Sequence, residues 1–226
     1  MCGRYVSPDD AAIEREFNLV RTEWHFPASY NVAPTHKVPV VRVIDGERRL
    51  ARLHWGLIPF WAKGVAPKYS TINATVEKLQ DAATWRGPWK RGQRCIMPAL
   101  GFFEWQVQAD GKTKQPYYIT LNDQEIFGLA GLWDSSPGAD GVTVESCTIV
   151  TMPANKLMRE IHNVKQRMPA ILAKEDRDTW LSGTPDDAFH VIRQYPDTQM
   201  LATPVSKRVN TPKNNDADLI AAVPIG

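Results

Sequence analysis

CIMPALGFFEWQV at residues 95–107, then QADGKTKQ, then PYYITL at residues 116–121, is the stretch whose reading decides the fold. The first segment is apolar and aromatic enough for a strand with at least one buried face. Asp110-Gly111 supplies a tight turn, and residues 117–121 resume extended character, so the stretch predicts strand, turn, strand. The pattern repeats on both sides. Residues 126–133 and 142–151 flank the turn Ser136-Pro137-Gly138-Ala139-Asp140-Gly141, and residues 38–44 and 49–57 flank Asp45-Gly46. Helical periodicity is scattered. Ser7 is the expected cap of a short helix carrying Ile13 and Phe17 on one face, with Asp9 and Asp10 in its first turn. Residues 75–85 carry Val76, Leu79, Ala82 and Ala83 on one side, and residues 155–161, 174–181 and 186–193 also read as helices. Residues 207–216 read as polar loop. Strands joined by tight turns with scattered helices predict an α+β fold, one domain over residues 1–226 around an antiparallel sheet or barrel.

The bulk composition narrows the partners. Net charge is only +2, too small for a protein that coats nucleic acid by its overall field, so any DNA recognition has to rest on local patches and on chemistry. Three cysteines and an N-terminus without a charged segment ahead of an apolar run point to free thiols in a reducing cytosol. No stretch approaches the roughly 20 apolar residues of a membrane span.

A few residues could carry chemistry. Once Met1 is removed, Cys2 would hold an α-amine and a thiol on adjacent carbons, with reference pKa values of about 7.7–8.0 and about 8.5. The amine can condense with an aldehyde to an imine, and the thiol can then close a thiazolidine ring. The alternative is a buried cysteine that happens to stand second. Strand alternation sets Phe103 and Trp105 on one face and Glu104 on the other beside Phe102, where a carboxyl in an apolar wall keeps its proton and suits a general acid. A solvent-facing glutamate on a half-buried strand is the plainer reading. His162, at the end of the helix over residues 155–161, can titrate near neutrality or be merely structural. Trp61, with Phe60 and beside Lys63 and Lys68, could stack on bases or belong to the core. The basic stretch at residues 89–94, which ends on Arg94, and the pair Lys207-Arg208 are phosphate-binding candidates, or solvated surface. No CxxC pair occurs, and no metal site is expected.

Together the motifs Met1-Cys2-Gly3-Arg4-Tyr5, Tyr30-Asn31-Val32-Ala33-Pro34-Thr35, Trp55-Gly56-Leu57-Ile58-Pro59, Ile72-Asn73-Ala74, Phe102-Phe103-Glu104-Trp105, Ile149-Val150-Thr151, Ile161-His162-Asn163, Arg167-Met168-Pro169 and Pro204-Val205-Ser206 stand in family order. In this the chain resembles the SOS response-associated peptidase family, the abasic-site processing proteins. The resemblance implies an antiparallel β-barrel-like core with flanking helices. It implies a covalent crosslink between processed Cys2 and the ring-opened aldehyde of an abasic deoxyribose in single-stranded DNA, together with abasic-site lyase chemistry. By the same carry-over, Asn73 hydrogen-bonds near the adduct, Glu104 assists ring opening and positions the amine, and His162 moves protons. Gly3, Arg4, Trp61, Arg94, Thr151 and Arg208 are the DNA contacts it implies. It implies no cofactor, a monomer, removal of its own Met1 as the peptidase activity, and a cytoplasmic protein that joins the nucleoid when bound to DNA.

One position departs from the pattern. The family often has an arginine two residues after the asparagine, and this chain has Thr75, so Arg4, Arg94 or Arg208 would have to compensate. The rival readings are an N-terminal nucleophile amidotransferase, a papain-like protease built on Cys2 and His162, and a DNA binder in which Cys2 is incidental. Glutaminase turnover separates the first, and binding indifferent to abasic sites would favour the last.

Overall fold

The computed structural model describes residues 2–224. Its strands are β1 (Tyr5–Ser7), β2 (Ser29–Val32), β3 (Lys37–Ile44), β4 (Glu47–Trp55), β5 (Asn73–Thr75), β6 (Arg94–Ala99), β7 (Gly101–Val107), β8 (Lys114–Leu121), β9 (Phe127–Pro137), β10 (Thr143–Pro153), β11 (Arg167–Pro169), β12 (Ile171–Leu172) and β13 (Met200–Pro204). Five of them close on themselves in the order β10-β4-β3-β6-β9 and back to β10. The β10–β4 pair is parallel, with Ser146 opposite His54 and Cys147 opposite Trp55, the antiparallel β9–β10 pair completes the ring, and closure leaves these strands without an open edge. β5 and β11 extend the barrel sheet from β10, and β12 from β9. A second, antiparallel sheet runs β13-β8-β7-β1-β2.

The segment at residues 95–107 forms two strands rather than one. β6 belongs to the barrel and β7 to the second sheet, and the chain crosses between them at Leu100 and Gly101. A Cβ on Gly101 would lie 2.3–2.6 Å from the Tyr118 ring, so only glycine lets the backbone pass there. This crossing puts Phe102 in the main core and Phe103 in a smaller cluster with Val6, Tyr118 and Val205.

Helix α1 (Asp10–Phe17) buries Ile13 and Phe17 as the periodicity predicts, but its cap is Asp9, whose carboxylate accepts from the Ala12 N–H at 2.7 Å. Ser7 is instead committed to β1. The helix expected over residues 75–85 does not form. Residues 73–75 pair in parallel with Ile149, Val150 and Thr151, and a single 3₁₀ turn (Val76–Lys78) follows. The helix comes later, as α2 (Arg86–Lys90). Sheet pairing outweighs local propensity here, as it commonly does for short segments. Helices α3 (Lys156–Ile161), α4 (Arg177–Ser182) and α5 (Pro185–His190) fall within or close to their expected ranges. No described helix is long and apolar enough to cross a membrane.

Candidate active site at the N-terminal cysteine

Cys2 lies just ahead of β1 and is fully buried. Asn73, at the start of β5, is fixed by its pairing opposite Ile149, and its side-chain amide donates to the Cys2 carbonyl at 3.0 Å. The Asn73 Oδ1 is buried and accepts no hydrogen bond among the described residues. An uncommitted buried acceptor is costly in a folded protein and characteristic of a functional position.

Glu104 occupies the face of β7 that the alternation assigns to it, and it is only 2% exposed. Burial raises its pKa above the ordinary carboxylate value, while the neighbouring His162 pulls it back down. His162 caps the C-terminus of α3. Its Nδ1 lies 2.8 Å from the Arg167 carbonyl oxygen and 3.3 Å from the Arg167 backbone nitrogen, and its Nε2 faces Glu104 at 3.9 Å. Arg167 fixes this corner by bidentate pairing with Glu77 at 2.6 and 3.0 Å and by donating to the Thr151 carbonyl at 2.7 Å. Asn163 clamps the end of α3 to β7 through both backbone groups of Val107.

The Cys2 thiol is pushed well up, first by burial and then by the nearby Glu104 charge, so it stays protonated at neutral pH. The outer face of the site is a cleft of about 340 Å³ lined by Glu104 and His162, with Ile72, Trp105, Lys114 and Lys165 around them. The four residues expected to carry chemistry thus lie close together: Asn73 holds the Cys2 carbonyl, the Glu104 charge is near enough to raise the Cys2 thiol, and His162 faces Glu104. Arg167 stands in the motif Arg167-Met168-Pro169, which by itself signals no role, and no motif marks Lys114 or Lys165.

The expected DNA contacts fare differently. Gly3 is partly exposed, and Trp61 is 54% exposed with its indole N–H on the Ala83 carbonyl at 3.3 Å. Arg94, expected to meet phosphate, does not reach the surface. It is 2% exposed, and its guanidinium donates to the carbonyls of Trp180 and Gly183, beneath the rings of Trp89 and Trp180. Its place at the start of a barrel strand turns it inward. Thr151 is likewise fully buried, in β10 between its sheet neighbours β5 and β11, and offers no surface to DNA. Arg4 binds Asn31 and the Val209 carbonyl, each at 2.8 Å, and Arg208 pairs with Asp216 at 2.8 Å. None of the three arginines invoked to replace the missing charge at Thr75 is free of protein partners. Arg94→Ala should therefore cost stability, about 1–3 kcal/mol from carbonyls left unpaired, and leave the salt dependence of DNA binding unchanged. Chemical denaturation and DNA titrations of this variant would check both halves.

A family model described as "SOS response associated peptidase (SRAP)" matches residues 1–212. The chain belongs to that family. It is 39% identical to the abasic site processing protein YoqW of Bacillus subtilis (strain 168), covering 97% of this chain and 99% of that protein. It is 32% identical to the abasic site processing protein HMCES of Xenopus tropicalis, covering 99% of this chain and 78% of that protein. Among solved structures, a protein from Bacteroides thetaiotaomicron shares the fold at a TM-score of 0.88 and 24% identity, covering 99% of this chain and all of that one. A Bordetella bronchiseptica protein follows at a TM-score of 0.79 and 28% identity, covering 91% of this chain and all of that one. Among the described residues of this SRAP chain, no group of three or more His, Cys, Asp or Glu side chains is placed to hold a metal ion.

Proposed function

We propose that the chain processes abasic sites in single-stranded DNA by forming a covalent bond through Cys2 after Met1 has been removed. The observation that carries this reading is the placement of Cys2 on Asn73, with the Glu104–His162 pair on the cleft side. The relatives' names agree with its coarser part, the processing of abasic sites.

In this reading the freed α-amine attacks C1′ of the open-chain sugar. A C–N bond forms, the carbonyl oxygen leaves as water after protonation, and an imine remains. The Cys2 sulfur then adds to the same carbon, and the thiol proton passes to nitrogen as the thiazolidine ring closes. Glu104, whose burial favours the protonated form, is the acid that the departing oxygen requires. His162, with Nε2 facing Glu104, takes up and returns that proton, which also serves reversal and strand cleavage. The protonated thiol suits this order of events, since it stays unreactive until the imine is in place. The peptidase of the family's name is the hydrolysis that releases Met1.

The experiment is to place one blocking residue ahead of Cys2, so that its nitrogen remains an amide. Crosslinking should fall below detection while non-covalent DNA binding persists. Wild-type crosslinking by a protein whose intact mass shows the retained extension would refute the role of the α-amine.

A further inference from the structure

Arg94 is buried, and Arg4 and Arg208 are hydrogen-bonded within the chain, which directs attention to cations that have no such partners. One cleft, of about 440 Å³, lies between β2 and the β3–β4 hairpin, and its ionisable lining residues are His36, Lys37 and Arg52 with no aspartate or glutamate. Lys37 stands opposite His54, and Arg52 opposite Pro39, so the pleat puts Lys37, Arg52 and His54 on one face of the hairpin. Lys37 and Arg52 are exposed, and neither joins the ion pairs that engage Arg42, Arg48, Arg49 and Arg167. The pKa of His54 is depressed, first by burial and then by the Lys37 charge, as befits a locally positive surface. The polar wall is also prepared. Asn215 Oδ1 accepts from the Ser29 hydroxyl and the Tyr30 N–H, which fixes its amide plane and leaves its NH₂ group as a donor.

The position relative to Cys2 gives the cleft its meaning. Asn31 forms part of its wall and also binds Arg4, and β2 is the strand next to β1, with Val32 opposite Tyr5. One strand spacing and three residues separate the cleft from Cys2, within roughly 15 Å. We propose that this cleft is a second nucleic-acid subsite, in which Lys37 and Arg52 hold backbone phosphates of the strand a few nucleotides from the abasic sugar at Cys2. The proposal rests on the function argued above. It supplies the charge that Thr75 lacks, with a compact lysine charge and an arginine fork matched to phosphate oxygens.

The test uses Lys37→Ala/Arg52→Ala in the full chain, with unmodified single-stranded DNA titrated at several salt concentrations. Each phosphate contact contributes about 0.7 to the log–log slope for single strands, so the double variant should bind several-fold more weakly at low salt, with a slope shallower by about 1.4. Lys37→Arg/Arg52→Lys should keep the wild-type slope, and thermal melting should confirm that both variants are folded. Capture of free abasic deoxyribose 5-phosphate, too short to reach the cleft, should proceed equally in wild type and the alanine variant. An unchanged slope in the alanine variant would overturn the subsite, and so would displacement of DNA by polyglutamate as readily as by competing DNA. Failure of the wild type to capture the sugar phosphate would count against the covalent chemistry instead, because the slope is read on DNA without abasic sites.

Discussion

Cys2→Ala is expected to abolish the heat-stable crosslink to abasic DNA entirely, although it keeps an α-amine after Met1 removal. The amine alone can still form an imine, and borohydride should trap that imine in Cys2→Ala and in Cys2→Ser. Without sulfur there is no ring closure, and an untrapped imine hydrolyses. The contrast between trapped and untrapped samples separates loss of the nucleophile from loss of the fold. Cys2 is fully buried in the main core, so Cys2→Ser, which adds a polar hydroxyl there, should be the less stable of the two variants. Crosslinks that survive heating at wild-type yield in Cys2→Ala would eliminate the thiazolidine.

The second large effect belongs to Glu104→Gln. It preserves shape but cannot give up a proton, so crosslink formation should slow by something like 10²-fold if Glu104 is the general acid. Stability should move the other way. Glu104 has a raised pKa in the folded state, so between its unfolded and folded pKa values the native protein binds more protons than the unfolded chain. Its contribution is therefore favourable at low pH and is lost as pH rises through that window. Glu104→Gln removes this loss and should melt higher than wild type at neutral pH, with the gap closing in acid. Melting curves and single-turnover rates across the same pH range give both readouts. A variant that is slower and also less stable at pH 7 would make Glu104 a structural residue.

Much of this site could be read in advance because its signals are local. Alternation through Phe102, Phe103, Glu104 and Trp105 was enough to place Glu104 on the Phe102 face, and a helix ending at His162 put the imidazole at a C-terminus. The strands that assemble the site are a different matter. β1, β5 and β11 have three residues each, too few for a period, and they exist only through pairing with distant segments. Asn73 meets Cys2 by such a pairing, so nothing near it in the chain announces the contact. Arg94 misled for a related reason. Among Lys90, Arg91 and Gln93 it looks like solvated surface, yet it begins a barrel strand whose residues are all buried. The one-strand reading of residues 95–107 missed the crossing at Gly101, where the cause is the Tyr118 ring, seventeen residues further on.

The most direct measurement of the central claim is the intact mass of the protein before and after incubation with single-stranded DNA bearing one abasic site. Before incubation, the mass should show Met1 removed. Afterwards, a heat-stable species should appear at the sum of protein and DNA masses less one water, with the modified peptide mapping to Cys2. A protein that keeps Met1 and still gains the DNA mass, or an adduct that maps to any other residue, would contradict the account.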